Sequence, residues 1–332
     1  MGLVLEPGRQ ILYLSASEVS SVGPSMAETI AAVKSAFVEH GCGVAQLPPK
    51  TAIHPLNEDA FIHAMPGFVS GAAAAGVKWV SGYPRNAELG LPYITGLLIL
   101  NDPGTGIPMA VMDCTWITAQ RTGAVSGIAA AALARPGAST VALLGAGVQG
   151  RTQVSGLAEA VPRLSEVRVY DVSPHAVDRF CAEMQARLPR LRMIGSMSAE
   201  EAVSSADIVV SAGPIVKRPN RLIQRSWFKE GCLGLPIDFD CMWTAEALGL
   251  SDRYFVDDVA QYRYYEGEGF FGGAPRVDGA LGGILTGDVA GREHSRQRIV
   301  SMNLGVAIAD MVTARLVYDR ALNECVGRKL SL

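Results

Sequence analysis

The chain has 332 residues, 49% of them hydrophobic and 18% charged, with a formal net charge of -3. That is enough for two domains of ordinary size, each with its own core. The near-neutral balance offers no basic field for nucleic acid or an anionic membrane, so the expected partners are small molecules met by local groups.

The opening MGLVLEPGRQ lacks the basic and long apolar regions of a secretory leader and the full myristoylation pattern, and no apolar run reaches the ~18 residues of a membrane span. A cytoplasmic location is expected. Cys42, Cys114, Cys181, Cys232, Cys241 and Cys325 show no Cys-x-x-Cys and no histidine at ligand spacing. They read as reduced thiols, and no metal site is expected.

In chain order, residues 17–39 carry apolar side chains at helical spacing (Val22, Met26, Ile30, Val33, Phe37) and predict one amphipathic helix ended by Gly41 and Gly43. Short strand-like stretches follow at 51–53, 60–64, 76–80 and 94–100, separated by Pro, Gly and Asn turns, which is α+β in character. Residues 119–133 (AQRTGAVSGIAAAAL) predict an alanine-rich helix stopped by Arg135-Pro136-Gly137. The period then changes. Strand 140–144, a glycine turn, a helix to 160 and strand 166–170 make a βαβ unit. Alternation continues through 174–188, 192–194, 199–204, 208–212, 232–236 and 254–258, predicting a doubly wound parallel sheet of the α/β class. Residues 267–283 read as a glycine-rich mobile loop, and 299–332 as helical with one apolar side.

Gly145-Ala146-Gly147-Val148-Gln149-Gly150 matches G-x-G-x-x-G directly between a strand and a helix. The first glycine permits a tight turn, the second lets backbone N–H groups reach a pyrophosphate, and the third lets helix and strand pack closely. The helix start faces the phosphate charge. Asp171 ends the second strand about 20 residues beyond the last glycine, where an acid accepts hydrogen bonds from the adenosine ribose and repels a 2′-phosphate. No Lys or Arg follows at once, so NAD is expected over NADP. Thr122, Ser211 and Ala212, at a helix and at the end of strand 208–212, complete the candidate cofactor contacts.

Lys50, Lys78 and Arg121 are cations amid apolar neighbours, in LPPKT, GVKWVSGYPRN and AQRTGA. Converging, they would suit a carboxylate, with Arg121 able to bind it bidentately; singly, each also reads as a surface or salt-bridged residue. Asp238 and Asp240, in LGLPIDFDCMW, follow a strand of the nucleotide-binding part, where ligands bind in doubly wound sheets. Each reads as a general acid or base or as a helix N-cap before 242–248. His63, in FIHAMPGF, reads as facing a pocket or as a core histidine.

These segments together, MPGF, GVKWVSGYPRN, TGIPMAVMD, TAQRTGA, LLGAGVQG and the closing GVAIADM with Asp310, resemble the ornithine cyclodeaminase/mu-crystallin family over nearly the whole length. The resemblance implies a Rossmann domain at 126–300 inserted into an α+β substrate-binding and dimerisation domain made of 1–125 and 301–332, in a homodimer. It implies that Lys78 and Arg121 hold a substrate carboxylate beside Met65, with Lys50 where most members carry arginine. Counting back from Glu246, it puts the catalytic aspartate at Asp240, acting with Lys78, and puts Asp238 where the family has glycine. His63 stands where ornithine cyclodeaminases carry a glutamate, which disfavours a cationic side chain on the substrate. The reading that results is an NAD-dependent oxidoreductase acting at the C–N bond of a small α-amino or α-imino acid. Its alternatives are an ornithine- or lysine-type cyclodeaminase and a non-enzymatic mu-crystallin-like binder.

Overall fold

The computed structural model describes residues 2–55 and 59–332. It divides into two compact units, Met1–Arg121 with Gly305–Leu332, and Thr122–Leu304.

The first unit opens with β1 (Gln10–Leu14), α1 (Ala16–Ser21) and α2 (Met26–Gly41). The single helix expected over 17–39 is two. Gly23-Pro24 interrupts it, and Ser25 restarts it with a capping box in which its side chain accepts from Glu28 N while Glu28 reaches back to the Ser25 N–H. Apolar periodicity runs through the break because both helices bury residues, Val19 in α1 and Val33, Ala36 and Phe37 in α2. Then come β2 (Thr51–Ile53), β3 (Phe61–Val69), β4 (Ala74–Gly82), β5 (Ile94–Asn101) and β6 (Pro108–Asp113), followed by α3 (Thr115–Leu133), in which the boundary between the units falls.

The second unit contains β7 (Thr140–Leu144), α4 (Val148–Ala160), β8 (Glu166–Tyr170), α5 (Pro174–Arg187), β9 (Arg192–Gly195), α6 (Ala199–Val203), β10 (Ile208–Ser211), β11 (Leu233–Pro236), α7 (Ala245–Leu248), β12 (Arg253–Val256), α8 (Val259–Gly267), β13 (Gly279–Ala280), α9 (Leu281–Thr286) and β14 (Ile299–Met302). Its eight strands pair in parallel in the order β13-β12-β14-β11-β10-β7-β8-β9. The order reverses between β7 and β10, which defines the switch point of a doubly wound, Rossmann-type sheet. Strands β7, β10, β11 and β14 are buried nearly throughout, as a sheet covered on both faces requires. The loop expected over 267–283 includes β13 and the start of α9.

The chain returns to the first unit as α10 (Ala307–Glu324) and β15 (Arg328–Ser331). The continuous helix expected over 299–332 is thus strand, helix, strand. The apolar Ile299-Val300 belongs to a strand too short for periodicity to identify, and Cys325 and Gly327, both at positive φ, turn the chain out of α10. The seven-stranded sheet of this unit runs β15-β1-β6-β5-β4-β3-β2, antiparallel except for β1 against β6. Its core joins Leu12, Leu14, Leu98, Leu100 and Met112 to Met311, Ala314 and Val317 of α10.

Candidate active site

Strands β3 and β4 alternate buried with more exposed residues, so His63, Met65 and Lys78 share one face of the sheet. Met65 stands opposite Lys78 and His63 opposite Val80. Helix α10 covers this face so closely that a Cβ on Gly67 would stand 3.0 Å from that of Ala307.

An ammonium fully buried on a central strand costs several kcal/mol unless it is paired. Asp310, in the first turn of α10, supplies the partner. Lys78 Nζ donates to Asp310 Oδ1 at 2.7 Å, and Arg121 Nε donates to the same oxygen at 3.0 Å. Gly305, at φ +84°, admits the guanidinium, since a Cβ there would lie 2.7 Å from an Arg121 terminal nitrogen. Asp310 Oδ2 is buried and has no hydrogen-bond partner among the described residues. Two cations on one carboxylate leave one net positive charge in a desolvated place, which suits an anion. Burial, with the Arg121 charge adding and Asp310 opposing, pushes Lys78 down to about 8.

His63 stacks on Phe61 with ring centroids 4.2 Å apart. Burial, helped by the charges of Lys50 and Lys78, pushes it down to about 2, so its imidazole is neutral at neutral pH. Lys50, just before β2, is itself buried.

In the second unit the three glycines of the turn are needed for different reasons. Gly145 has φ +111°, and a Cβ on it would sit 2.6 Å from the Ala212 carbonyl oxygen; one on Gly150 would sit 2.4 Å from the Gly145 carbonyl oxygen. A Cβ on Gly147 would meet nothing within 4 Å, so folding alone does not require glycine there. Gly147 is also the N-cap of α4 and makes no side-chain cap bond, while Val148 beside it is exposed. An open glycine before an uncapped helix start fits the approach of a pyrophosphate. Asp171 accepts from Ala146 N at 2.8 Å and Ser173 N at 2.9 Å. Its carboxylate is thereby fixed at the turn, with lone pairs left for ribose hydroxyls. Gln149 lies in the first turn of α4, and Thr122 is buried in α3.

The two aspartates after β11 have separate partners. Asp238 accepts from Ser211 Oγ at the end of β10 and from Gly213 N at 3.3 Å, just past Ala212, and Trp243 Nε1 donates to the same Ser211 oxygen at 3.0 Å. Asp240 accepts from Arg221 at 2.6 Å. Between them Phe239 takes a left-handed conformation, φ +60°. Burial pushes Asp238 up to about 7, against the hydrogen bonds from Ser211 and Gly213. Neither aspartate caps α7, whose N-cap is Thr244.

The sequence profile of the ornithine cyclodeaminase/mu-crystallin family matches residues 11–324. The chain belongs to this family. It is 36% identical over 97% of its length, and 98% of the relative's, to a nodulation efficiency protein of Rhizobium meliloti. Among solved structures it is similar to Δ1-pyrroline-2-carboxylate reductase of Thermococcus litoralis, in complex with NADH and L-proline, at 33% identity and a TM-score of 0.86, covering 96% of this chain and 99% of that one. It is also similar to an archaeal alanine dehydrogenase dimer with bound NAD, at 33% identity and a TM-score of 0.84, covering 97% and 99%.

For this member of the ornithine cyclodeaminase/mu-crystallin family, then, the structure brings His63, Met65, Lys78 and Arg121 into one neighbourhood, with Lys50 close enough for its charge to act on His63. In the second unit it gathers Gly145, Gly147, Gly150 and Asp171 at the turn, and Ser211 with Asp238 beside it. Sequence reasoning assigned no role to Asp310 and passed over Arg221 and Trp243. An acid in the first turn of an apolar helix, in a chain with cations flanked by apolar residues, is a signal that could have singled out Asp310. Arg221 lies in a loop with Lys217 and Arg218, and nothing in its spacing marks it. Among the described residues no helix is long and apolar enough to cross a membrane, and all six cysteines are free.

Proposed function

We propose that this protein is an NAD(H)-dependent oxidoreductase acting on the C–N bond of a small α-amino or α-imino acid. The observation that carries the reading is the net positive charge buried at Asp310, where Lys78 and Arg121 share one carboxylate oxygen. Lys78 and Arg121, with Lys50, bind the substrate carboxylate, and Met65 and His63 border the side chain. A neutral imidazole at His63 gives a cationic side chain no counter-charge, which favours neutral or anionic side chains and disfavours ornithine and lysine. Gly147 and the start of α4 hold the pyrophosphate and Asp171 the adenosine ribose, and NADH supplies the hydride when bound. Reduction adds hydride to the imine carbon and a proton to its nitrogen. Asp240 exchanges that proton, or one on the attacking water in the reverse direction, while Lys78, at about 8, keeps an exchangeable proton near neutral pH.

The described sheet face of β4 and β5 exposes Trp79, Leu97 and Ile99, with Trp79 opposite Leu97. Such a patch supports a homodimer in which a second copy covers it. We place the protein in the cytoplasm, in keeping with its free thiols.

The test is NADH absorbance on addition of cyclic α-imino acids, or of α-keto acids with ammonia or an amine. Stoichiometric loss is expected; no loss across such a panel overturns the reading. Ammonia release from ornithine or lysine without net change in NADH would select the cyclodeaminase instead.

A further inference from the structure

We infer that Asp238 is a positioning residue that makes the dinucleotide site of this chain distinguish oxidised from reduced cofactor. The inference rests on the dinucleotide reading above.

Its first ground is topology. The sheet order reverses between β7 and β10, the glycine turn follows β7, and Asp171 follows β8. With the adenosine on the β8 side, a doubly wound sheet leaves the carboxyl ends of β10 and β11 for the nicotinamide nucleoside. Asp238 lies beyond β11 and is bonded to Ser211, the last residue of β10.

The second ground is the network. Ionised Asp238 accepts the Ser211 hydroxyl and the Gly213 N–H, and so pins the segment 211–213 from beneath. Ser211 in turn accepts from the Trp243 indole, and the Met242 methyl packs against Gly213, so the segment has little freedom to answer a change at Asp238 other than by shifting. Protonation removes one acceptor from a buried network in which each donor needs one. The third ground is charge. The oxidised nicotinamide ring is a cation and the reduced ring is neutral, so a desolvated carboxylate at this end of the sheet favours the oxidised form.

Asp240 and Cys241 are the ionisable groups whose charge couples to Asp238. Asp240 is held by Arg221, and burial pushes Cys241 up to about 12, so it stays a neutral thiol. Asp238 itself lies at about 7. His175, four residues beyond Asp171, belongs to the adenosine half, which is common to both cofactor forms and cancels in their ratio.

The experiment measures dissociation constants of NAD+ and NADH on the full-length protein by calorimetry, from about pH 6 to about pH 8.5, where neither dinucleotide titrates. Binding of the cation to ionised Asp238 requires NAD+ affinity to fall about tenfold as pH drops across this range, while NADH changes less than about threefold. Asp238→Asn should flatten the NAD+ profile at its weak, low-pH level. Ser211→Ala, which removes a bond favouring the ionised form, should move the transition to higher pH. Parallel pH profiles for the two cofactors in the unsubstituted protein, or a Ser211→Ala transition that does not move, would overturn the inference while leaving the dinucleotide site intact. Failure of both cofactors to bind at every pH would overturn the dinucleotide reading itself.

Discussion

Replacing Asp310 with alanine would leave the Lys78 ammonium and the Arg121 guanidinium, which donate to one Asp310 oxygen at 2.7 and 3.0 Å, without their shared anion. Removing one partner of a buried pair costs about 3–5 kcal/mol. Here there is a physical ceiling for the lysine, because it can shed its proton. At about pH 7, neutralising a lysine whose ordinary value is 10.5 costs about 5 kcal/mol, and no arrangement in which it stays charged can cost more than that. In the unsubstituted protein Lys78 already lies at about 8, below its ordinary value. Between about 8 and 10.5 the unfolded chain therefore holds a proton that the folded one has lost, and stability rises with pH across that window. In Asp310→Ala the lysine falls further and the window opens lower. The penalty should then shrink by about 1–1.5 kcal/mol between about pH 7 and about pH 9. Urea unfolding followed by circular dichroism at the two pH values measures this, with Lys78→Met/Asp310→Leu as a control that leaves one cation, Arg121, without its anion instead of two and should be less destabilised than Asp310→Ala. A penalty under about 1 kcal/mol at pH 7, or one that grows with pH, would refute the assignment of Asp310 as the anion that stabilises both cations.

Gly147→Ala should leave the unfolding midpoint of the cofactor-free protein within about 1 kcal/mol while weakening NADH binding more than about tenfold, since its Cβ meets only open space; Gly150→Ala, with a Cβ 2.4 Å from the Gly145 carbonyl oxygen, should lower thermal stability before any cofactor is added. Equal effects in melting and titration would sink the distinction. Arg121→Ala should reduce kcat/KM for an α-imino acid by about a hundredfold or more, and Arg121→Lys should recover only part of it because the planar fork is lost; a lysine variant as active as the parent would argue against bidentate binding. Leu97→Asp, on the exposed face of β5, should convert a dimer to monomer in light scattering without changing the far-ultraviolet circular dichroism, and an unaltered mass would locate the interface elsewhere.

Local chemistry determined much of this protein from sequence alone. The glycine turn, the strand before it and Asp171 after it are consecutive features of one βαβ unit, so their spacing already carries the geometry. Cations in apolar surroundings announced that Lys78 and Arg121 need an anion, and the Gly23-Pro24-Ser25 break in the first helical stretch was present in the letters, though apolar periodicity masked it. What periodicity could not separate was a four-residue buried strand, Ile299–Met302, from the start of the helix that follows it. Only the tertiary structure decided which anion the cations meet, because Asp310 lies 232 positions from Lys78 and 189 from Arg121 and reaches them by packing α10 on the β3–β4 face. The same holds for the two aspartates after β11. Two residues apart in sequence, they differ because the left-handed backbone at Phe239 sends one into a desolvated network with Ser211 and the other to Arg221, and burial and partners, not residue type, set what each carboxylate can do.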